Sequence, residues 1–325
     1  MGQVRTFLTI AAAGWLLCTP AGASEISFGH AGPRGSILDL SAQEFAKRAN
    51  ARLGNRAKVV VHAAGKLGSD SEVLEKLRLG TVDLALPGTV MSSPVPQFGL
   101  FEMPYLVRDR DHFVRIRDQI VMPLMAPAAQ QAGYKIIAVW ENGFRHVTTS
   151  QRPVNTPNDL KGLKLRVPPG EWRVKMFRAY GAEPVPLAFS KVYDALKTGE
   201  IGGQENPFSI IYPARLYEVQ KYLSLTGHVY APAYVTAGAS WAKLDPEVQK
   251  ILHDTAKEMQ DVVLRIGGDL DGEFLAKLKA TGMQINEVDK DAFIMASGAI
   301  YKEFSLQVRQ GGNLIDKALA LGRTH

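Results

Sequence analysis

One stretch of this chain occurs twice. Val73-Leu-Glu-Lys-Leu-Arg-Leu-Gly-Thr-Val82 aligns with Val192-Tyr-Asp-Ala-Leu-Lys-Thr-Gly-Glu-Ile201, so that helix end, glycine and strand start fall in register. A glycine at that place closes a helix in the left-handed conformation that other residues avoid. Two copies of one helix–glycine–strand pattern predict two similarly built α/β lobes. The length of 325 residues agrees, since domains average ~150 residues.

Strands and helices alternate around both copies. Ile26–Gly29, Lys58–His62, Val82–Leu86 and Tyr134–Val139 read as strands. Leu38, Ala42, Phe45 and Ala49 recur at helical spacing behind Ser36 and Asp39, and Ser69 with Glu72 makes a capping box for the next helix. A further helix is expected between Asp111 and Gln131, and a long one from Pro246, capped by Asp245, with an apolar stripe through Val248, Ile251, Leu252, Met259, Val262 and Ile266. That stripe is long enough to brace both lobes. Alternation of this kind predicts βαβ units and a mixed, mostly parallel sheet flanked by helices in each lobe. Trp140–Asn142 and Tyr230–Tyr234 are the expected hinge crossings. They divide the chain into 24–141 with 231–270, and 142–230 with 271–325. Two lobes on such a hinge enclose a cleft, and α/β sheets bind ligands at the carboxyl ends of their strands.

Residues 1–23 read as a signal peptide: Arg5, an apolar run from Phe7 to Leu17, then Ala21-Gly22-Ala23 as the cleavage site. The run is shorter than the ~20 residues of a spanning helix, and no later segment is apolar enough to cross a membrane. Cleavage after Ala23 removes the single cysteine, Cys18, and leaves no disulfide or cysteine-based metal site. A periplasmic protein is expected.

Most catalytic chemistry is missing from the pattern. The seven histidines are scattered with no i, i+4 pair, so no metal site is expected. Gly29-His-Ala-Gly32-Pro-Arg-Gly35 follows a strand, but its glycine spacing differs from the dinucleotide fingerprint and Pro33 removes an amide, so no cofactor is expected. The formal charge of +6, with a pI near 9.2, is dispersed rather than run into basic blocks. That weighs against nucleic acid and suits a small anion.

Five stretches occur in order, the first enclosing one copy of the repeat: Gly68-Ser-Asp-Ser-Glu-Val-Leu-Glu-Lys-Leu-Arg-Leu-Gly-Thr-Val-Asp83, Gly143-Phe-Arg145-His-Val-Thr-Thr-Ser150, Leu163-Lys-Leu-Arg166-Val-Pro168, Ala188-Phe189-Ser190-Lys-Val-Tyr193 and Gln204-Glu205-Asn206-Pro207. Together they resemble the solute-binding proteins of tripartite ATP-independent periplasmic (TRAP) transporters, of the C4-dicarboxylate-binding type. The resemblance implies a two-lobed periplasmic-binding-protein-like fold that captures an organic acid and delivers it to membrane permease subunits. Nothing in the sequence suggests an obligate dimer, so a monomer is expected, and with no catalytic constellation in the pattern no enzymatic activity is expected.

Carried over residue by residue, the resemblance makes Arg166 the partner of the substrate carboxylate. A guanidinium fork gives two parallel hydrogen bonds and keeps its charge when buried. Arg145 matches a second arginine that either touches the ligand or holds the hinge. Asn206 matches a ligand-contacting amide, with Glu205 beside it structural. Phe189 matches an aromatic that packs on the ligand, its alternative being a core phenylalanine. Trp172, after Arg166-Val-Pro-Pro-Gly-Glu, is placed to lie over a ligand, and Tyr212, Tyr230, Tyr234 and His30 are further lining candidates. Pro87-Gly88-Thr89 stands where sialic-acid-binding members carry an acid. With Trp172 and Phe189 as a sandwich and that wall neutral, an acid with a bulky or aromatic body is favoured. C4-dicarboxylates and uronates are the alternative ligands, and an enzyme acting on small acids is the alternative class.

Overall fold

The computed structural model describes residues 24–323; the expected signal peptide lies outside the described residues. The chain begins as β1 (Ser24–Gly29), α1 (Ile37–Leu53), β2 (Ala57–His62), α2 (Asp70–Leu79) and β3 (Leu84–Ala85). Short 3-10 turns lead to α3 (Arg110–Ile116), a π-helical stretch Arg117–Met125 and α4 (Ala126–Gln131). Then come β4 (Lys135–Phe144), β5 (His146–Thr149), β6 (Lys164–Val167), α5 (Glu171–Ala179), β7 (Glu183–Pro186), α6 (Val192–Thr198) and β8 (Gly203–Asn206). The rest is α7 (Phe208–Ile211), β9 (Tyr222–Ser224), β10 (Tyr230–Ala237), α8 (Pro246–Ala280), β11 (Gln284–Asn286), α9 (Lys290–Ala296), α10 (Gly298–Gln307) and α11 (Gly311–Leu321).

Two sheets form, ordered β2-β1-β3-β10-β4 and β11-β9-β5-β8-β6-β7. The repeat seen in the sequence extends to whole βαβαβ units. β3 pairs parallel with β1 and antiparallel with β10, and β8 pairs parallel with β6 and antiparallel with β5. Both repeat glycines are left-handed caps, Gly80 at φ 73° and Gly199 at φ 76°. The capping box at Ser69 and Glu72 is present. At α1 only half of the box forms: Ser36 accepts from the Asp39 amide, while the Asp39 carboxylate turns to the Gly35 amide.

The helix expected between Asp111 and Gln131 is continuous but not uniform. Pro123 lacks an amide hydrogen, and the turns around it widen to π spacing. Trp140–Asn142 lies inside β4, which runs on to Phe144. Arg145 then carries the chain from the first sheet into the second, and the chain returns between Ser224 and Tyr230.

Helix α8 spans 35 residues. Asp245 caps it, Pro246 fills its first position, and Lys277 and Lys279 stand at its carboxyl end, where positive charge meets the helix dipole. It packs on α1 and β4 of the first lobe and on α7 of the second. Two hydrogen bonds fix β4 beneath it: Trp140 Nε1 donates to the Ala256 carbonyl (2.9 Å), and the Val139 amide donates to Gln260 Oε1 (3.1 Å). Among the described residues no helix is long and apolar enough to cross a membrane.

Candidate functional site

The cleft between the sheets holds about 600 Å³, mouth included. Arg145, Arg166, Phe189 and Asn206 all line it, joined by Asp70, Gly88, Thr89 and Asn142. Strand geometry explains the convergence. Arg166 is next to last in β6, between Val185 of β7 and Gln204 of β8, Asn206 ends β8, and Arg145 sits at the crossing between sheets. For Arg166 and Asn206 these are the carboxyl ends of parallel strands, where an α/β sheet opens to ligand.

The two arginines differ in how they are held. Arg145, buried, gives Nε to Glu205 Oε2 (2.6 Å) and Nη2 to Glu205 Oε1 (2.9 Å) and to Asn206 Oδ1 (3.0 Å). Its fork is engaged by a carboxylate that the protein supplies. Arg166 is equally buried, at 3% exposure, yet only its Nε is bonded, to the Leu187 carbonyl (2.8 Å). No described residue accepts from its two terminal nitrogens. The Phe189 ring lies 5.8 Å from the guanidinium carbon. Burial pushes Arg166 down to about 9, so it is still charged at neutral pH.

Behind the cleft wall lies a buried ionic cluster. Glu205 also accepts from Arg173 Nη1 (2.6 Å) and faces His228 Nε2 (3.0 Å), while Arg173 Nε donates to Glu102 (2.8 Å). Burial acts to raise Glu205, but the guanidiniums of Arg145 and Arg173 hold it well below the usual carboxylate range. Burial pushes His228 down to about 4, leaving it neutral. Three arginines (Arg145, Arg166, Arg173) thus face two buried glutamates (Glu102, Glu205), an excess of one positive charge inside the cluster that Asp70, half-buried on the cleft wall, offsets only when it is ionised. An uncompensated buried charge is costly, and a carboxylate entering the cleft removes that excess. Half-buried Asp70 shares the cleft. Burial raises its carboxyl, and the nearby Arg166 acts against the rise. Asn142 presents a buried Oδ1 with no partner.

The remaining candidates stand elsewhere. Trp172 is buried on α5 against Gly99 and Phe304, ring centroids 5.1 Å apart, and does not line the cleft. The aromatic sandwich expected from the sequence therefore does not form, because the apolar face of α5 turns to the core. Tyr230 gives its hydroxyl to Glu141 and packs on Phe113 and Phe144. Tyr212 stacks on Tyr217 and Phe274, and Tyr234 packs on Phe98. His30 is buried next to Asp39 at 3.5 Å and is not part of the cleft wall.

Sequence reasoning missed Asp70, Asn142 and Arg173. Arg173 carried a signal, since it shares a helical stripe with Phe177 and Tyr180, and an ionisable group on a buried stripe calls for partners. Asp70 did not, because Ser69 and Glu72 already account for the local pattern.

The model of the bacterial extracellular solute-binding proteins, family 7, matches residues 28–307. The chain belongs to that family. It is 31% identical to the 2,3-diketo-L-gulonate-binding periplasmic protein of Escherichia coli, over 90% of each chain. A TRAP periplasmic solute-binding protein from Polaromonas, solved with D-erythronate, superposes with a TM-score of 0.88 at 30% identity, covering 93% of this chain and 100% of that one. One from Sulfurospirillum deleyianum with succinate gives 0.88 at 30%, covering 92% and 99%. This is a TRAP solute-binding protein with a two-lobed fold, built for transport rather than catalysis.

Proposed function

We propose that this solute-binding protein captures a hydroxylated organic acid and hands it to a membrane permease. Residues 1–23 would be removed on export to the periplasm, and the mature chain would act as a monomer. The lobes, divided near Arg145 and again ahead of Tyr230, would close on the ligand. The observation that carries this reading is the buried, half-used guanidinium of Arg166 (Nε occupied, both terminal nitrogens open to the cleft). The ligand carboxylate would take those two nitrogens. Asn206, held by Arg145 and by its own Nδ2–H to Gln204 Oε1 (2.6 Å), would meet it from the side.

Hydroxyls follow from the acceptors opposite. Asp70 and the unpartnered Asn142 Oδ1 need donors, which a hydroxylated chain provides and an aryl ring does not. With Trp172 outside the cleft, one face of the expected aromatic sandwich is gone. The relatives solved with D-erythronate and succinate take short acids, and the relative named for 2,3-diketo-L-gulonate takes a longer hydroxylated one, so an organic acid is supported without its length.

A thermal-shift panel of carboxylic acids on the mature protein tests the reading. An acid at 100 times its dissociation constant should stabilise the fold by ~2.7 kcal/mol. Its amide or methyl ester should give no shift. Equal shifts for acid and amide would overturn the carboxylate assignment.

A further inference from the structure

Strand β4 carries one residue too many where it borders the cleft. Against β10, Gly143 pairs with Ala231 and Glu141 with Pro232, so Asn142 faces no partner and forms a β-bulge. A bulge bends its strand and re-aims the extra side chain. Here Asn142 lines the cleft beside Ala231, Pro232 and Ala233, two alanines and a proline with no polar side chain to meet it. Pro232 also lacks an amide hydrogen that the Asn142 side chain could accept.

The other neutral polar side chains of the cleft are already in use. Asn206 accepts from Arg145 at Oδ1 (3.0 Å) and donates through Nδ2 to Gln204 Oε1 (2.6 Å). Thr89 Oγ1 lies 3.5 Å from Arg173 Nη2. Asn142 differs: no described residue bonds either end of its amide, and its Oδ1 is buried without a partner. A buried polar group left unpaired is costly. The amide turns easily about its last torsion, so either end can be offered to a ligand.

We infer that Asn142 selects the ligand for a hydroxyl. This rests on Arg166 being the carboxylate seat. A hydroxyl donates and accepts, as the amide does, whereas ionised Asp70 only accepts. Arg166 stands on a strand of the second sheet and Asn142 on a strand of the first. An acid that gives its carboxylate to Arg166 and a hydroxyl to Asn142 therefore ties the two lobes together. Its deoxy counterpart leaves the amide unpaired, and a site made to bond a hydroxyl rejects the analogue that lacks it.

Calorimetry with D-erythronate and butyrate, four-carbon acids that differ only in their hydroxyls, tests this on the wild type, Asn142→Leu and Asn142→Ala, beside thermal unfolding without ligand. The wild type should prefer erythronate by at least about a hundredfold. Each variant should weaken erythronate by about tenfold or more and leave butyrate unchanged or tighter, so that the ratio falls at least about tenfold. Ligand-free stability should hold or rise, because the amide supports nothing in the protein. Equal weakening of both acids, an unchanged ratio, or a variant that no longer folds overturns the selection and leaves the carboxylate reading standing. So does a wild type that does not prefer erythronate, or that binds other acids and neither of these. Failure of every acid to bind the wild type overturns the carboxylate reading and the selection with it.

Discussion

Glu205 and Glu141 are the same residue type, both fully buried, and they titrate in opposite directions. Glu205, behind the ligand cleft, accepts from two arginines and lies well below the usual carboxylate range. Glu141, in the strand that leads to the crossing, accepts from one arginine and from the Tyr230 hydroxyl. That arginine, Arg110, is shared with Asp271 at 2.6 Å. Burial is the largest influence on both and pushes both upward; at Glu141 it wins, and the group rises to about 7. The number of cations per carboxylate decides the outcome. It also divides the labour. The Glu205 cluster is over-supplied with cations and can leave Arg166 free for a ligand. The Glu141 cluster is nearly self-neutral and braces the crossing strand under α8.

The largest effect should come from breaking the charged cluster. Glu205→Ala leaves Arg145 and Arg173 buried without their shared partner, which should cost ~3–5 kcal/mol in denaturant unfolding. A loss under ~1 kcal/mol would mean that those charges are solvated.

The two carboxylates should also give opposite pH slopes. Glu205, with a depressed folded pKa, gives stability that is present above its unfolded value and lost as pH falls through the folded one. His228, pushed down to about 4, adds to that loss on acidification. Glu141 does the reverse: its contribution is complete below the ordinary 4.5 and lost as pH rises through about 7. The difference curve between wild type and Glu141→Gln isolates this. Over the whole range the wild type should fall by ~3 kcal/mol relative to the variant. A flat difference curve would place Glu141 in water.

Smaller effects probe how α8 fits over Glu141. A Cβ on Gly267 would overlap Glu141 Oε1, whereas one on Gly268 meets nothing. Gly267→Ala should therefore cost ~1–3 kcal/mol through overpacking. Gly268→Ala in the same helix should gain ~0.5–1 kcal/mol. If both gain, the glycine is not there for Glu141.

Much of this was legible beforehand, where a local pattern had only one physical solution. Gly80 and Gly199 announced left-handed caps, and the doubled helix–glycine–strand pattern around them announced two similarly built lobes. Arg145, Arg166, Phe189 and Asn206 sit at strand ends or in the loop after a strand, so strand order alone brings them to one opening. Trp172 was not legible in the same way. The spacing of Trp172 with Met176 marks an apolar face of α5 but not which neighbour that face meets, and Gly99 and Phe304 supply the answer. Asp70 was masked by a neighbouring capping box. Glu141 and Gly267 are 126 positions apart in the numbering, and only the packing of α8 on β4 shows that each requires the other.

The central claim is that Arg166 is the arginine of the cleft whose fork the described residues leave for a ligand. Calorimetry of wild type, Arg166→Lys and Arg166→Ala with the best acid from the panel, run beside thermal unfolding without ligand, tests it most directly. Removing the fork should cost Arg166→Ala roughly two to four decades of affinity. Lysine should fall between, since it keeps the charge but not the paired geometry. Ligand-free stability should hold or rise, because an excess buried charge is gone. Undiminished affinity in a folded Arg166→Ala would contradict the account, and so would a large loss of ligand-free stability, which would show that the protein itself already uses the fork.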